Sequence, residues 1–121
     1  MNKSPSVWLI GAGPMAQSYA AVLQAQSIDF QVIGRSTASA NAFQNATGKQ
    51  VVGGGIDEAL TVLNAPTKAI VAVSVEQLAY VAQRLIRAGC KRLLLEKPGA
   101  LHLSDLAAIN SSAQSAGAKV W

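Results

Sequence analysis

Gly11, Gly13 and Ala16 form a G-x-G-x-x-A pattern that begins where an apolar run, Val7 to Ile10, stops and a helical pattern starts. Small residues at this spacing can bind a pyrophosphate, each by a different physical route. Gly11 permits a tight turn out of a strand, Gly13 leaves no Cβ between the backbone and a phosphate, and Ala16 lets the helix pack closely on the sheet. The following helix aims its free N–H groups and positive dipole end at the anion. Pro14 suits the first turn, where its missing N–H has no helical partner anyway, and Met15 stands beside it in the candidate site. The competing reading is a bare strand-to-helix turn that holds nothing.

In dinucleotide-binding folds an Asp or Glu about 20 residues beyond such a turn accepts hydrogen bonds from the adenosine ribose. Here that place reads "VIGRS", with Gly34 where the carboxylate would stand and Arg35, Ser36 and Thr37 after it. A carboxylate would repel a 2'-phosphate by roughly 4 kcal/mol at about 4 Å and an effective dielectric of about 20, less when screened. Its absence, with a guanidinium beside it, reverses that preference. Arg35 can bind the phosphate in a bidentate manner or stack on adenine, while Ser36 and Thr37 can donate hydroxyls. NADP is therefore expected ahead of NAD. If Arg35 is only a solvated loop charge, the choice between the two stays open.

A second cluster, Glu96, Lys97 and Pro98, lies in "LLLEKPGAL" after a later apolar run. A Lys at the carboxyl end of a parallel strand lies in the crevice where open α/β sheets bind ligands. Its ammonium could hydrogen-bond the nicotinamide ribose and a substrate hydroxyl, and favour a developing alkoxide.

With this E-K-P motif, the glycine turn and the passage "AGCKRLLLEKPGAL", the chain resembles the Gfo/Idh/MocA oxidoreductases over nearly its whole length. The resemblance implies a Rossmann domain of about this size, followed in the whole protein by an α/β domain that binds substrate and makes oligomer contacts. It implies Lys97 as the catalytic residue, with Glu96 orienting it or bracing the loop. Pro98 would fix the turn; the resemblance makes a cis Lys97–Pro98 bond plausible, while a trans bond is the base-rate expectation. A surface Glu-Lys pair ahead of a helix-starting Pro is the alternative. The implied substrate is a small molecule, namely a sugar, polyol or sugar-nucleotide, and the implied full-length protein is a homo-oligomer. Departures from the family pattern follow the fourth strand. Where the family often shows Thr-Pro and then a His, this chain has Ser74, Val75 and, at the His place, Leu78, so only Ser74 and backbone groups remain for the coenzyme there. The single histidine, His102, reads as a surface residue at a helix start.

Two functional classes compete. The first is the coenzyme-binding part of an NAD(P)-dependent oxidoreductase, which alone would bind coenzyme but turn over little, because hydride transfer needs a positioned substrate. The second is a stand-alone nucleotide-sensing module, in which a strand-end Lys97 would be gratuitous.

These residues need a scaffold, and the pattern supplies one. Short apolar runs alternate with helical stretches, the signature of parallel strand-helix-strand units. Strands are expected at 7–10, 30–34, 50–52, 69–73 and 92–95, with a last one from Ala118. Helices are expected at 15–25, 39–47, 56–63, 76–88 and 103–116. Gly48, Gly89 and Gly117 end helices, and Ser104 and Asp105 are cap and first-turn candidates for the last one. The fold class is a doubly wound parallel α/β sheet in three layers with strand order 3-2-1-4-5-6.

Composition narrows the partners. Half of the 121 residues are apolar and 13% are charged, which fits one compact domain. The net charge is +4, but the basic residues are scattered, so nucleic-acid binding is not expected. The lone cysteine, Cys90, permits no internal disulfide and reads as a small packing residue. No signal-peptide or membrane-spanning run is visible, so cytoplasmic residence without membrane contact is expected. No metal site is expected. The sequence stops as a sixth strand begins, which favours the front part of a longer protein.

Overall fold

The computed structural model describes residues 6–121. Strands and helices alternate as β1 (Val7–Ile10), α1 (Pro14–Ala25), β2 (Gln31–Ile33), α2 (Thr37–Thr47), β3 (Val51–Val52), α3 (Gly55–Val62), β4 (Lys68–Val71), α4 (Val75–Arg87), β5 (Arg92–Leu95), α5 (Leu103–Ala116) and β6 (Lys119–Val120). The six strands form one sheet in the order β3-β2-β1-β4-β5-β6, and every pair is parallel. This is the expected Rossmann-like α/β arrangement.

Three layers follow from the two-residue period of the strands. Trp8 and Ile10 of β1 face one side with Ile33 and Val71, joining Leu78, Leu85 and Ile109 from the helices in the larger core. Leu9 and Val32 face the other side and meet Ala16, Ala20 and Phe43 from α1 and α2. In register, Leu9 pairs with Val32 and Ile70, and Ile10 with Ile33 and Val71, so the central strand is buried on both faces. Helix α4 buries Leu78, Val81, Ala82, Leu85 and Ile86, the stripe that a 3.6-residue period puts on one side. Its acidic residue, Glu76, sits in the first turn and Arg84 and Arg87 in the last, in line with the helix dipole.

The boundaries differ from expectation by one or two residues, for local reasons. Helix α2 starts at Thr37 because the Ser36 hydroxyl accepts the Ser39 N–H at 3.3 Å and caps it there. Helix α5 takes His102, not Ser104, at its cap position, since the His102 carbonyl already accepts the Asp105 N–H at 3.0 Å. Asp105 does lie in the first turn, and Gly48 and Gly117 end α2 and α5. Cys90 is fully buried in the larger core, and that burial pushes its thiol pKa up. Among the described residues no helix is long and apolar enough to cross a membrane.

Candidate functional site

The strand order reverses at β1, which lies between β2 and β4. In open α/β sheets the crevice at that point, beyond the carboxyl ends of the strands, takes ligands. Here a cleft of about 890 Å³ opens there, and Gly11, Gly13, Gly34, Arg35, Ser36 and Ser74 all line it. The chain segments after β1, β2 and β4 therefore converge on one space.

The three small residues of the glycine turn divide the work in a measurable way. Gly11 has φ +118°, and a Cβ there would lie 2.2 Å from the Ala72 carbonyl oxygen, so the fold itself demands glycine. Ala16 is fully buried between α1 and the sheet, with Leu9 and Ala12 in the same cluster. Gly13 differs from both. Its backbone, at φ −86° and ψ −170°, suits any residue, and a Cβ would meet nothing within 4 Å. Packing gives no reason for glycine there, whereas a phosphate approaching the backbone does. Helix α1 begins at this point without a side-chain cap and without an acidic residue in its first turn. Its start is thus open to an anion.

Gly34 is buried, and a Cβ there would lie 2.8 Å from Val51 Cγ1 and 3.3 Å from Ala12 Cβ. A side chain at this place would require Val51 to shift. Arg35 is exposed, and among the described residues it makes no side-chain hydrogen bond or ion pair. Its stem lies on Gly55, where a Cβ would be 3.0 Å from Arg35 Cγ. The glycine arch Gly54–Gly55, both with positive φ, thus makes a bed for the arginine, and the Gly55 N–H donates to the Gly34 carbonyl at 2.9 Å.

Other predicted residues lie outside the cleft lining. Pro14 is the first residue of α1 and Met15 is half exposed beside it; Thr37 opens α2 on the surface. Glu96, Lys97 and Pro98 follow β5, with the Lys97–Pro98 bond cis. The Glu96 N–H donates to the Val71 carbonyl at 3.0 Å, and the Glu96 carboxylate accepts the Tyr19 hydroxyl of α1. That bond, with burial second, pushes the Tyr19 pKa up to about 12. Lys97 is exposed, and its ammonium has no hydrogen-bond partner among the described residues. Leu78, at the place of the family's His, is 1% exposed and belongs to the core. His102 is exposed, at the cap of α5.

Sequence reading missed Ser39, Gly54, Gly55, Asp57 and Tyr80, all of which line the cleft. The run "VGGGID" was the available signal: consecutive glycines after a strand mark a close backbone approach. Asp57 accepts a hydrogen bond from the Tyr80 hydroxyl at 2.5 Å and pairs with Arg84 Nε at 2.6 Å, joining α3 to α4. Among the described residues no three His, Cys, Asp or Glu side chains gather as a metal site.

Comparison with known proteins agrees with the fold. Residues 6–121 match the model of the Gfo/Idh/MocA oxidoreductase family, NAD-binding Rossmann fold. The chain belongs to that family. No curated protein sequence matches it. Among solved structures it is similar to GenD2 from gentamicin A biosynthesis in complex with NAD, at 25% identity and a TM-score of 0.80, over 99% of this chain and 34% of that one. The fold is shared with the WlbA dehydrogenase from Chromobacterium violaceum in complex with NADH and UDP-GlcNAcA, at 17% identity, a TM-score of 0.79 and coverage of 100% and 35%. It is also shared with a putative myo-inositol dehydrogenase from Sinorhizobium meliloti 1021, at 23% identity, a TM-score of 0.76 and coverage of 94% and 34%. The chain spans about a third of the length of these structures.

Proposed function

We propose that this chain is the coenzyme-binding domain of an NADP(H)-preferring oxidoreductase that interconverts a hydroxyl and a carbonyl on a sugar, polyol or sugar-nucleotide. The observation that carries the reading is Gly13, a glycine that neither its backbone angles nor its neighbours require, at the uncapped start of α1. A backbone surface left bare in this way fits a pyrophosphate. The Gly11–Ala12–Gly13 backbone and the first turn of α1 would hold it, and Ser74 would contribute from the far wall of the cleft. Arg35, resting on Gly55 beside the Ser36 hydroxyl, would hold the 2'-phosphate of NADP. NAD would lack that contact and bind more weakly.

The bound nicotinamide supplies the hydride donor or acceptor. Lys97, exposed after β5, would hydrogen-bond the substrate oxygen, orient the reacting carbon and favour negative charge developing on that oxygen. Glu96 is engaged by Tyr19, so it serves better as a brace for the Lys97–Pro98 loop than as a base. Support for the substrate class comes from family membership and from the sugar-nucleotide bound to WlbA, a protein of the same fold.

The test is a titration of the purified chain with NADPH and with NADH, followed by thermal unfolding. A ligand at about 100 times its dissociation constant adds roughly 2.7 kcal/mol to stability. NADPH is expected to stabilise at lower concentration than NADH. Stabilisation by neither would overturn the coenzyme reading, and equal stabilisation would remove the NADP(H) preference.

A further inference from the structure

Two carboxylates line the cleft, Asp57 and Glu76, and the glycine turn and the E-K-P motif explain neither; Asp57 is the one with a charged partner. Asp57 stands in the first turn of α3, two residues beyond the Gly55 on which the Arg35 stem lies, and both Asp57 and Arg35 line the cleft. A negative charge here acts against any anion that Arg35 would hold. Two groups on α4 oppose it. Arg84 Nε lies 2.6 Å from Asp57 Oδ1, and the Tyr80 hydroxyl donates to Oδ2 at 2.5 Å. Tyr80 and Arg84 are four residues apart, so one face of α4 delivers both. The Tyr80 bond first, and the Arg84 bond next, hold the Asp57 carboxyl below the usual range. Asp57 is therefore ionised at neutral pH, and protonation offers no route to removing its charge. Arg84, which lies outside the cleft lining, supplies the compensating charge.

We propose that Arg84 is a second determinant of coenzyme choice, acting through Asp57: the Arg84–Asp57 pair cancels a carboxylate that shares the cleft with Arg35, so the adenosine end of the cleft accepts a 2'-phosphate. This rests on the NADP(H) reading above. Arg84 is a positioning and charge-compensating residue, and Tyr80 fixes the carboxylate against it. The contribution is electrostatic and directional. It concerns the phosphorylated coenzyme far more than the unphosphorylated one, and it weakens with salt.

The experiment is a double-mutant cycle on the chain with Arg84→Gln, Asp57→Asn and both together. NADPH and NADH dissociation constants are read by nicotinamide fluorescence at about 0.02 M and about 0.5 M salt, where screening lengths differ several-fold. Arg84→Gln should weaken NADPH about five-fold at low salt, leave NADH within about two-fold, and lose most of this difference at high salt. The double variant should return NADPH to within about two-fold of wild type, since the carboxylate that Arg84 compensates is gone along with Arg84. Equal weakening of both coenzymes, or a double variant no better than Arg84→Gln, would overturn the proposal. If Arg84→Gln fails to fold, Asp57→Asn alone decides: its NADPH-to-NADH preference should rise, and an unchanged ratio overturns the proposal. A wild-type chain without NADPH preference refutes the coenzyme reading and this proposal with it, whereas a flat cycle on a chain that prefers NADPH refutes this proposal alone.

Discussion

Tyr19 donates its hydroxyl to Glu96 across 77 residues of sequence, tying the helix of the glycine turn to the loop that carries Lys97. The bond crosses from one helix-strand unit to another and joins the two motifs that sequence reading treated separately. It also explains where the Glu96 carboxylate goes. A carboxylate that accepts a phenol is held in place, and the main chain on either side of it is held by bonds to the Val71 carbonyl and from the Gly99 N–H.

Tyr19→Phe should cost about 1 kcal/mol at neutral pH, the usual net worth of a hydrogen bond of this kind. The pH dependence distinguishes this bond from simple packing. The Tyr19 pKa is pushed up to about 12 in the folded chain against an ordinary value near 10, so the folded state holds the phenolic proton more tightly. The stability it contributes is fully present below pH 10 and is lost as the pH rises through about 12. The stability difference between wild type and Tyr19→Phe, measured by urea unfolding, should be constant up to about pH 9 and shrink above it. A difference that does not change across that window would remove Glu96 as the partner that matters.

The two glycines of the turn should separate cleanly. Gly11→Ala places a Cβ 2.2 Å from the Ala72 carbonyl oxygen at φ +118°, so it should destabilise the chain by about 3 kcal/mol or more. Gly13→Ala meets open space, so stability should stay within about 0.5 kcal/mol of wild type while coenzyme affinity falls by at least about ten-fold. Thermal unfolding with and without NADPH checks both. A Gly13→Ala chain that binds coenzyme normally would leave the turn as a turn and nothing more.

The contrast between these glycines also shows what the sequence could reveal. The strand-helix alternation and the short apolar runs make the elements legible, because periodicity is a local property of each segment, while the sheet order comes with the Rossmann arrangement that the glycine turn and the family resemblance imply. β1, β5 and α5 have the expected bounds, and the other elements shift by one or two residues where a cap such as Ser36 decides the start. In the sequence the Gly34 place shows only as a missing carboxylate. Its steric cause, Val51 and Ala12 closing on it, depends on β3 and the glycine turn coming together in space. The Asp57–Tyr80–Arg84 link has the same character. Its members lie 23 and 27 residues apart, no local period connects them, and only the packing of α3 on α4 brings them within bonding distance. Lys97 shows the opposite limit: its motif is legible in the sequence, yet it stands outside the cleft lining.

Arg35 offers the sharpest test of the coenzyme preference, because charge and shape can be varied separately there. Its stem is seated on Gly55, and no acidic partner among the described residues engages its guanidinium, so no structural ion pair breaks when the side chain is cut. Arg35→Ala should therefore leave stability within about 0.5 kcal/mol. It should weaken NADPH by about 10- to 100-fold, the worth of a charge-assisted hydrogen-bond pair, and NADH by no more than about three-fold. Arg35→Lys keeps the charge but loses the planar fork that matches a phosphate, so it should fall between wild type and Arg35→Ala for NADPH. Isothermal titration with the two coenzymes ranks the three proteins. If Arg35→Ala weakens NADPH and NADH alike, the guanidinium stacks on the adenine that both coenzymes share, and selection of the 2'-phosphate passes to the Ser36 hydroxyl and the start of α2.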